Sequence, residues 1–115
     1  MKILSPKVHG FLDYFVVVVF LSAPSALGLS GVPMIISYGL AVIHFLLTLF
    51  TDFPLGAVKV IPMRIHAVIE LVVGPTLMAL PWIAGFSDNA PARCFYIGAG
   101  VAIFLTWLIT DYQRV

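Results

Sequence analysis

The chain has 115 residues, of which 62% are hydrophobic and only 10% are charged, and its formal net charge is +1. Soluble domains carry about 25% charged residues, so this composition excludes an ordinary soluble domain and predicts an integral membrane protein surrounded by the lipid bilayer. The small net charge gives no basic field for nucleic acid, and the single cysteine, Cys94, excludes an internal disulfide.

Four apolar segments follow one another along the chain, separated by groups of proline, glycine, asparagine and aspartate. They predict helices over roughly 8–23, 33–51, 62–82 and 92–111. A membrane-spanning helix needs about 20 residues, and the predicted first helix is shorter than this length. Pro24 and Gly28 are expected to lie in the loop that follows it. The predicted fold is an all-α membrane protein with four transmembrane helices in a single domain, residues 1–115.

An internal repeat divides the chain into units of approximately 7–53 and 64–112. An offset of 57 carries Lys7, His9 and Asp13 onto Arg64, His66 and Glu70, and an offset of 59 carries Thr51 and Asp52 onto Thr110 and Asp111. Each unit is a helical hairpin, so both units insert with the same topology. The repeat therefore predicts two parallel hairpins related by a two-fold axis along the membrane normal.

Small residues also recur in the second helix of each unit. Gly39 and Ala41 correspond to Gly98 and Gly100 at the offset of 59. Because small residues let membrane helices approach closely, all four are predicted to lie at contacts between helices.

Basic residues indicate the orientation. The N-terminus, the second loop and the C-terminus contain Lys2, Lys7, Lys59, Arg64 and Arg114, whereas the opposite side contains Arg93. Cytoplasmic loops carry the excess of lysine and arginine, so both termini are predicted to face the cytoplasm.

Part of the second unit resembles a known family. The segment Pro81-Trp82-Ile83-Ala84-Gly85-Phe86, followed by a polar loop and by Tyr96-Ile97-Gly98-Ala99-Gly100, is similar to the SPW-repeat family of small bacterial membrane proteins. The first unit carries the related Ser22-Ala23-Pro24 with Gly28. The resemblance implies a protein of two-helix units in the bacterial inner membrane, and it implies no particular activity.

Each unit places a histidine four residues before a carboxylate, as His9/Asp13 and His66/Glu70. This spacing puts both side chains on one helix face. Imidazole and carboxylate together suit Zn, Fe or Mn. Asp52 and Asp111 end the second and fourth helices on the same side, as further ligands or as partners of the ligands. The pattern therefore predicts a candidate metal site of His9, Asp13, His66, Glu70, Asp52 and Asp111.

Two other interpretations of these residues remain open. Lys7 and Arg64 adjoin both sets, so a purely structural network of ion pairs with the aspartates would also explain the pattern. Ionisable groups inside membrane segments also line proton and ion pathways. His44 has no partner in the repeat, and it is either a neutral core histidine, an axial ligand of haem or chlorin, or a proton relay towards Asp52.

The chain contains none of the common catalytic or nucleotide-binding motifs, which disfavours an enzyme and gives no catalytic residues. The first predicted function is a binding or structural membrane module, such as a subunit of a larger membrane complex, whose polar cluster holds a metal. The second is a protomer of an ion or proton transporter or channel. It would require a homo-oligomer, because four short helices enclose little space. The third is a haem- or chlorin-binding accessory subunit that uses His44.

Overall fold

A computed structural model describes residues 2–113 and contains four helices and two very short strands. Helix α1 comprises Pro6–Leu27, α2 Gly31–Leu49, α3 Met63–Ile83 and α4 Ala90–Ile109, and strands β1 and β2 comprise Thr51–Asp52 and Ile61–Pro62. All four helices are long and apolar enough to cross a membrane. The predicted all-α membrane fold is confirmed. Arg114, which contributed to the predicted orientation, lies outside the described residues.

Helix α1 is longer than predicted because Pro24 lies inside it and does not end it. A proline has no N–H, so it leaves the carbonyl four residues earlier without its helical donor. That carbonyl belongs to Phe20, and the Ser37 hydroxyl of α2 donates a hydrogen bond to it over 2.7 Å. The helix ends at Gly28, whose φ of 66° is easily adopted by glycine and whose N–H donates to the Pro24 carbonyl.

Helix α1 packs mainly against α2, and α3 packs mainly against α4. The α3–α4 crossing is close at Gly100, where an added Cβ would lie 2.5 Å from the Gly74 carbonyl oxygen. Gly100 and Ala41 are buried, as predicted. The prediction is wrong for Gly39 and Gly98, which are exposed and have open space around them. Each lies two positions from its buried neighbour, and residues two apart on a helix point in different directions.

One end of the bundle joins the two halves through backbone contacts. Strand β1 pairs in parallel with β2, with Thr51 opposite Ile61, and an isolated parallel bridge joins Leu4 to Thr110. The sequence repeat relates these two pairings, because the offset of 57 carries Leu4 onto Ile61 and the offset of 59 carries Thr51 onto Thr110. We call this end, formed by residues 2–9, 50–66 and 109–113, the cluster end. The contacts recur with the sequence repeat, and the two-fold rotation of the two hairpins remains a prediction.

Away from the cluster end, the interior is mostly apolar, and large apolar side chains also cover much of the outer surface. The buried core includes Phe20, Leu77 and Ile103, while large aliphatic side chains such as Ile35 and Ile83 are exposed. This distribution suits a bundle whose outer face contacts lipid, because lipid tails are as apolar as the core.

Candidate metal centre

Four of the six predicted ligands come together near the cluster end. His9 and His66 are the fourth residues of α1 and α3, and Asp13 and Glu70 follow one turn later on the same faces. All four side chains are almost completely buried. One nitrogen or oxygen from each lies within 4.8 Å of the others. We call this group the His/carboxylate cluster.

Two threonines fix how the histidines are oriented. The Nδ1 atom of His9 lies 2.7 Å from the Thr110 hydroxyl, and the Nδ1 atom of His66 lies 2.8 Å from the Thr51 hydroxyl. Each threonine donates its only hydroxyl hydrogen to the carbonyl one turn earlier in the chain, Thr106 and Leu47 respectively. The threonine oxygen must therefore accept from the imidazole. Both Nδ1 atoms carry hydrogen, and both Nε2 atoms face the cluster.

The Nε2 atoms lie between the two carboxylates. His9 Nε2 is 3.1 Å from Asp13 Oδ1 and 2.8 Å from Glu70 Oε2. His66 Nε2 is 3.1 Å from Asp13 Oδ2 and 3.1 Å from Glu70 Oε1. A protonated Nε2 carries one hydrogen, so it cannot bond fully to both carboxylates, and Asp13 Oδ2 has no hydrogen-bond partner. The geometry calls for positive charge in the centre, because buried carboxylates without compensation are costly.

Tyr112 supplies a further contact on one side of the cluster. Its hydroxyl donates to Glu70 Oε2 over 3.0 Å, and its ring centroid lies 5.4 Å from that of His9. Burial and the neighbouring Glu70 carboxylate raise the pKa of the Tyr112 phenol, so the hydroxyl stays protonated and remains a donor. Sequence reasoning gave Tyr112 no role at the site, although it directly follows the repeated Thr-Asp pair.

His44 lies beside the cluster on the Asp13 side. Its Nε2 is 3.4 Å from Asp13 Oδ1 and has no hydrogen-bond partner. A small cavity of about 40 Å³, lined by apolar side chains such as Leu40 and Leu77, adjoins it. A cavity of this size suits one water molecule and leaves no room for a haem or chlorin ring. The arrangement places His44 against a ligand of the cluster, and the haem hypothesis gains no support from it.

The structure does not bring Asp52 and Asp111 into the cluster, contrary to the prediction. Asp52 is exposed and Asp111 is half-buried. The backbone at Thr51–Asp52 is extended, and successive side chains of an extended segment point to opposite sides. The threonine of each Thr-Asp pair therefore points inward and the aspartate points away. Sequence reasoning noticed both threonines in the repeat but assigned the chemistry to the aspartates.

The sequence left open a ring of ion pairs that join lysine or arginine to aspartate. Among residues 2–113 the structure contains no such ion pair. Each ion-pair contact within this range joins a histidine to Asp13 or Glu70. Lys7 and Arg64 are exposed. The positive charge that the carboxylates require must come from the histidines themselves or from a bound cation.

An open vestibule of about 890 Å³ lies next to the cluster at the cluster end. Its lining includes Asp52, Arg64, Ala67 and Tyr112. Glu70 follows Ala67 by one helical turn, so the vestibule comes close to the carboxylate.

Comparison with known proteins identifies no relative of this chain. No family model, no curated protein and no solved structure matches the chain. The similarity to the SPW-repeat family therefore remains a prediction from the sequence motifs alone.

Proposed function

We propose that this integral membrane protein is a metal-binding module that holds one divalent transition metal ion between His9, Asp13, His66 and Glu70. The observation that carries the proposal is the threonine bond on each imidazole. Histidines that bind metals typically donate their other ring N–H to an oxygen acceptor, which fixes the tautomer and the ring orientation. Thr51 and Thr110 provide such acceptors and leave both Nε2 atoms facing the carboxylates.

The charges and ligand types support a transition metal. Two neutral imidazoles and two carboxylates carry a charge of −2, which one divalent ion cancels. Two nitrogen and two oxygen ligands suit Zn²⁺, and they also suit Fe²⁺ or Mn²⁺ when further positions are open. Ca²⁺ and Mg²⁺ prefer sites made of oxygen atoms alone, so the two histidines disfavour them.

The surroundings of the cluster favour binding over conduction by a single chain. The vestibule approaches the cluster from the cluster end. On the other side of the cluster, the buried side chains include Val17, Phe20, Leu77 and Ile103, and these offer no ligands to an ion. Ion or proton transport by a homo-oligomer, and membership of a larger membrane complex, remain alternative proposals.

The test is metal content after purification, measured by mass spectrometry, with one conservative substitution. We expect the purified chain to take up about one equivalent of Zn²⁺, Fe²⁺ or Mn²⁺. Glu70→Gln keeps the shape of the side chain and removes its charge, so it should lower metal affinity at least about tenfold. Asp88→Asn makes the same chemical change at an exposed position in the α3–α4 loop and should leave affinity unchanged. A metal-free wild type under loading conditions, or a Glu70→Gln variant with full affinity, would contradict the proposal.

A further inference from the structure

We propose that Tyr112 is the gate through which the metal ion passes between the vestibule and the His/carboxylate cluster. This inference rests on the proposed metal site and goes beyond it by naming the route and the residue that controls exchange. The ligand that takes this route is a hydrated divalent cation, which loses water as it reaches the histidines and carboxylates.

The first support is the position of Tyr112 between the two spaces. Tyr112 lines the vestibule and donates its hydroxyl to Glu70 Oε2 over 3.0 Å. Of the described residues that line the vestibule, it is the one whose side chain forms a hydrogen bond with the side chain of a proposed ligand. An ion moving from the vestibule to Glu70 must therefore meet this phenol first.

The second support is a break in the repeat. The offset of 59 carries Phe53 onto Tyr112. Phe53 is 1% exposed, and its ring centroid lies 6.3 Å from that of His66. The Phe53 ring packs so closely on Gly10 that even one added Cβ would collide with it. Phe53 therefore closes the His66 side of the cluster with a fixed apolar ring.

Tyr112 differs from Phe53 in both exposure and polarity. It is half-buried, it borders open space, and a single hydroxyl contact joins it to Glu70. Breaking that contact frees Glu70 Oε2, the oxygen that also lies 2.8 Å from His9 Nε2, to meet an incoming cation. Exchange on this side requires movement of one side chain, whereas exchange past Phe53 would require the packing against α1 to open.

Two charged side chains of opposite sign also line the vestibule. Asp52 and Arg64 both line it, and Asp52 is exposed. The Asp52 carboxylate, which the sequence suggested as a ligand, thus lies on the approach to the cluster and outside the cluster itself, together with the Arg64 guanidinium.

The experiment measures the rates at which Co²⁺, a coloured probe for such sites, binds and leaves the full chain in detergent or lipid nanodiscs. Tyr112→Phe removes the bond to Glu70 and keeps the ring. Because such charge-assisted bonds are among the stronger ones in proteins, association and dissociation should both become about tenfold faster, with the equilibrium affinity nearly unchanged. Tyr14→Phe is the matched control, since it removes a hydroxyl bond to the Leu55 carbonyl at the same end and should change neither rate.

A second measurement blocks the vestibule. A bulky maleimide attached to Asp52→Cys, with the native thiol removed by Cys94→Ser, should slow Co²⁺ association about tenfold by occupying the route. Two controls should bind at the normal rate: the same variant without the label, which separates the block from the loss of the Asp52 carboxylate, and the wild type labelled at Cys94, which is exposed near the start of α4. This measurement decides the matter if Tyr112→Phe does not fold.

The outcomes separate this inference from the metal site. A wild type that binds no Co²⁺ overturns the proposed function together with the gate. A wild type that binds Co²⁺ at rates unaffected by Tyr112→Phe and by the vestibule label overturns the gate alone. A Tyr112→Phe variant with weaker affinity and an unchanged association rate would also overturn it, because Tyr112 would then only position Glu70.

Discussion

The threonine hydroxyls decide what the two histidines can do. A hydroxyl has one hydrogen, and Thr51 and Thr110 each give it to a backbone carbonyl. Each can then only accept from the neighbouring imidazole. The lone pair or proton of each Nε2 is consequently directed at the carboxylates. This two-step constraint directs the Nε2 atoms of two buried histidines at the same two carboxylates.

We predict that Thr51→Val weakens Zn²⁺ binding about 10- to 100-fold, because His66 loses the acceptor that fixes its ring orientation and its tautomer. Valine has nearly the same shape as threonine, so packing is preserved. Competition between the protein and a chelator of known affinity measures the change. Thr76→Val serves as control, since that hydroxyl bonds to the Val72 carbonyl of its own helix on an exposed face. Equal affinities for Thr51→Val and the wild type would show that the threonine bond is irrelevant to binding.

The four residues of the His/carboxylate cluster were predictable, and the residues that orient them were not. The spacing of four residues in His9/Asp13 and His66/Glu70 dictates a shared helix face wherever the segment is helical. Whether Thr51 or Asp52 points inward depends on the extended backbone after α2, which is set by pairing with Ile61, ten residues further along the chain. His44 and Tyr112 reach the cluster through tertiary contacts, and the repeat gave no sign of them because their counterparts are Ile103 and Phe53.

Among the helices, the closest approach is the crossing of α3 and α4. Gly100 faces the Gly74 backbone, and an added Cβ would lie 2.5 Å from the carbonyl oxygen and 2.8 Å from Met78 atoms. The glycines therefore set how near α4 comes to α3. Since Glu70 is on α3 and Thr110 follows α4, this distance also governs the geometry of the cluster.

We predict that Gly100→Ala lowers the free energy of unfolding by about 1–3 kcal/mol, because the added methyl group forces the helices apart. Gly98→Ala provides the control on the same helix, as an added Cβ there meets no atom within 4 Å. In that position alanine should be neutral or stabilising by up to about 1 kcal/mol, since it favours the helix more than glycine does. Thermal unfolding in detergent compares the two, and a Gly100→Ala variant as stable as Gly98→Ala would refute the close crossing.

The helices show where sequence patterns suffice and where they fail. Apolar segments of spanning length located all four helices, because hydropathy alone determines which segments can lie in lipid. The end of α1 was misplaced because proline usually interrupts a helix. The Ser37 hydroxyl from α2 compensates for the missing donor at Pro24, and a contact between residues so far apart in the chain leaves no local sequence signal.

For the molecule as a whole, the contacts at the cluster end follow the repeat. Leu4 meets Thr110 as Ile61 meets Thr51. Each histidine contacts the threonine of the other repeat unit, His9 that at position 110 and His66 that at position 51. The cluster thus depends on both units, and half of the chain would hold one histidine and one carboxylate. The duplication provides a physical reason for a cluster of two histidines and two carboxylates.

We predict that both termini and the cluster end face the cytoplasm, because four of the five lysines and arginines among residues 2–113 lie at this end. A reporter that is active only in the cytoplasm, fused to the C-terminus, should be active. The same fusion with a reporter that is active only outside the cytoplasm should be silent. The reverse pattern, with both fusions expressed, would show that the bundle has the opposite orientation and that the vestibule opens away from the cytoplasm.

The proposed metal ion is held by all four residues of the His/carboxylate cluster, His9, Asp13, His66 and Glu70. X-ray absorption spectroscopy of the zinc-loaded protein tests this most directly, because it reports the atoms bound to the metal. We expect four nitrogen and oxygen neighbours at about 2.0–2.1 Å, with the outer-shell scattering of two imidazoles, which His66→Ala should reduce to that of one. A sulfur neighbour, which would place the zinc at Cys94, or an oxygen shell without imidazole scattering would contradict the account.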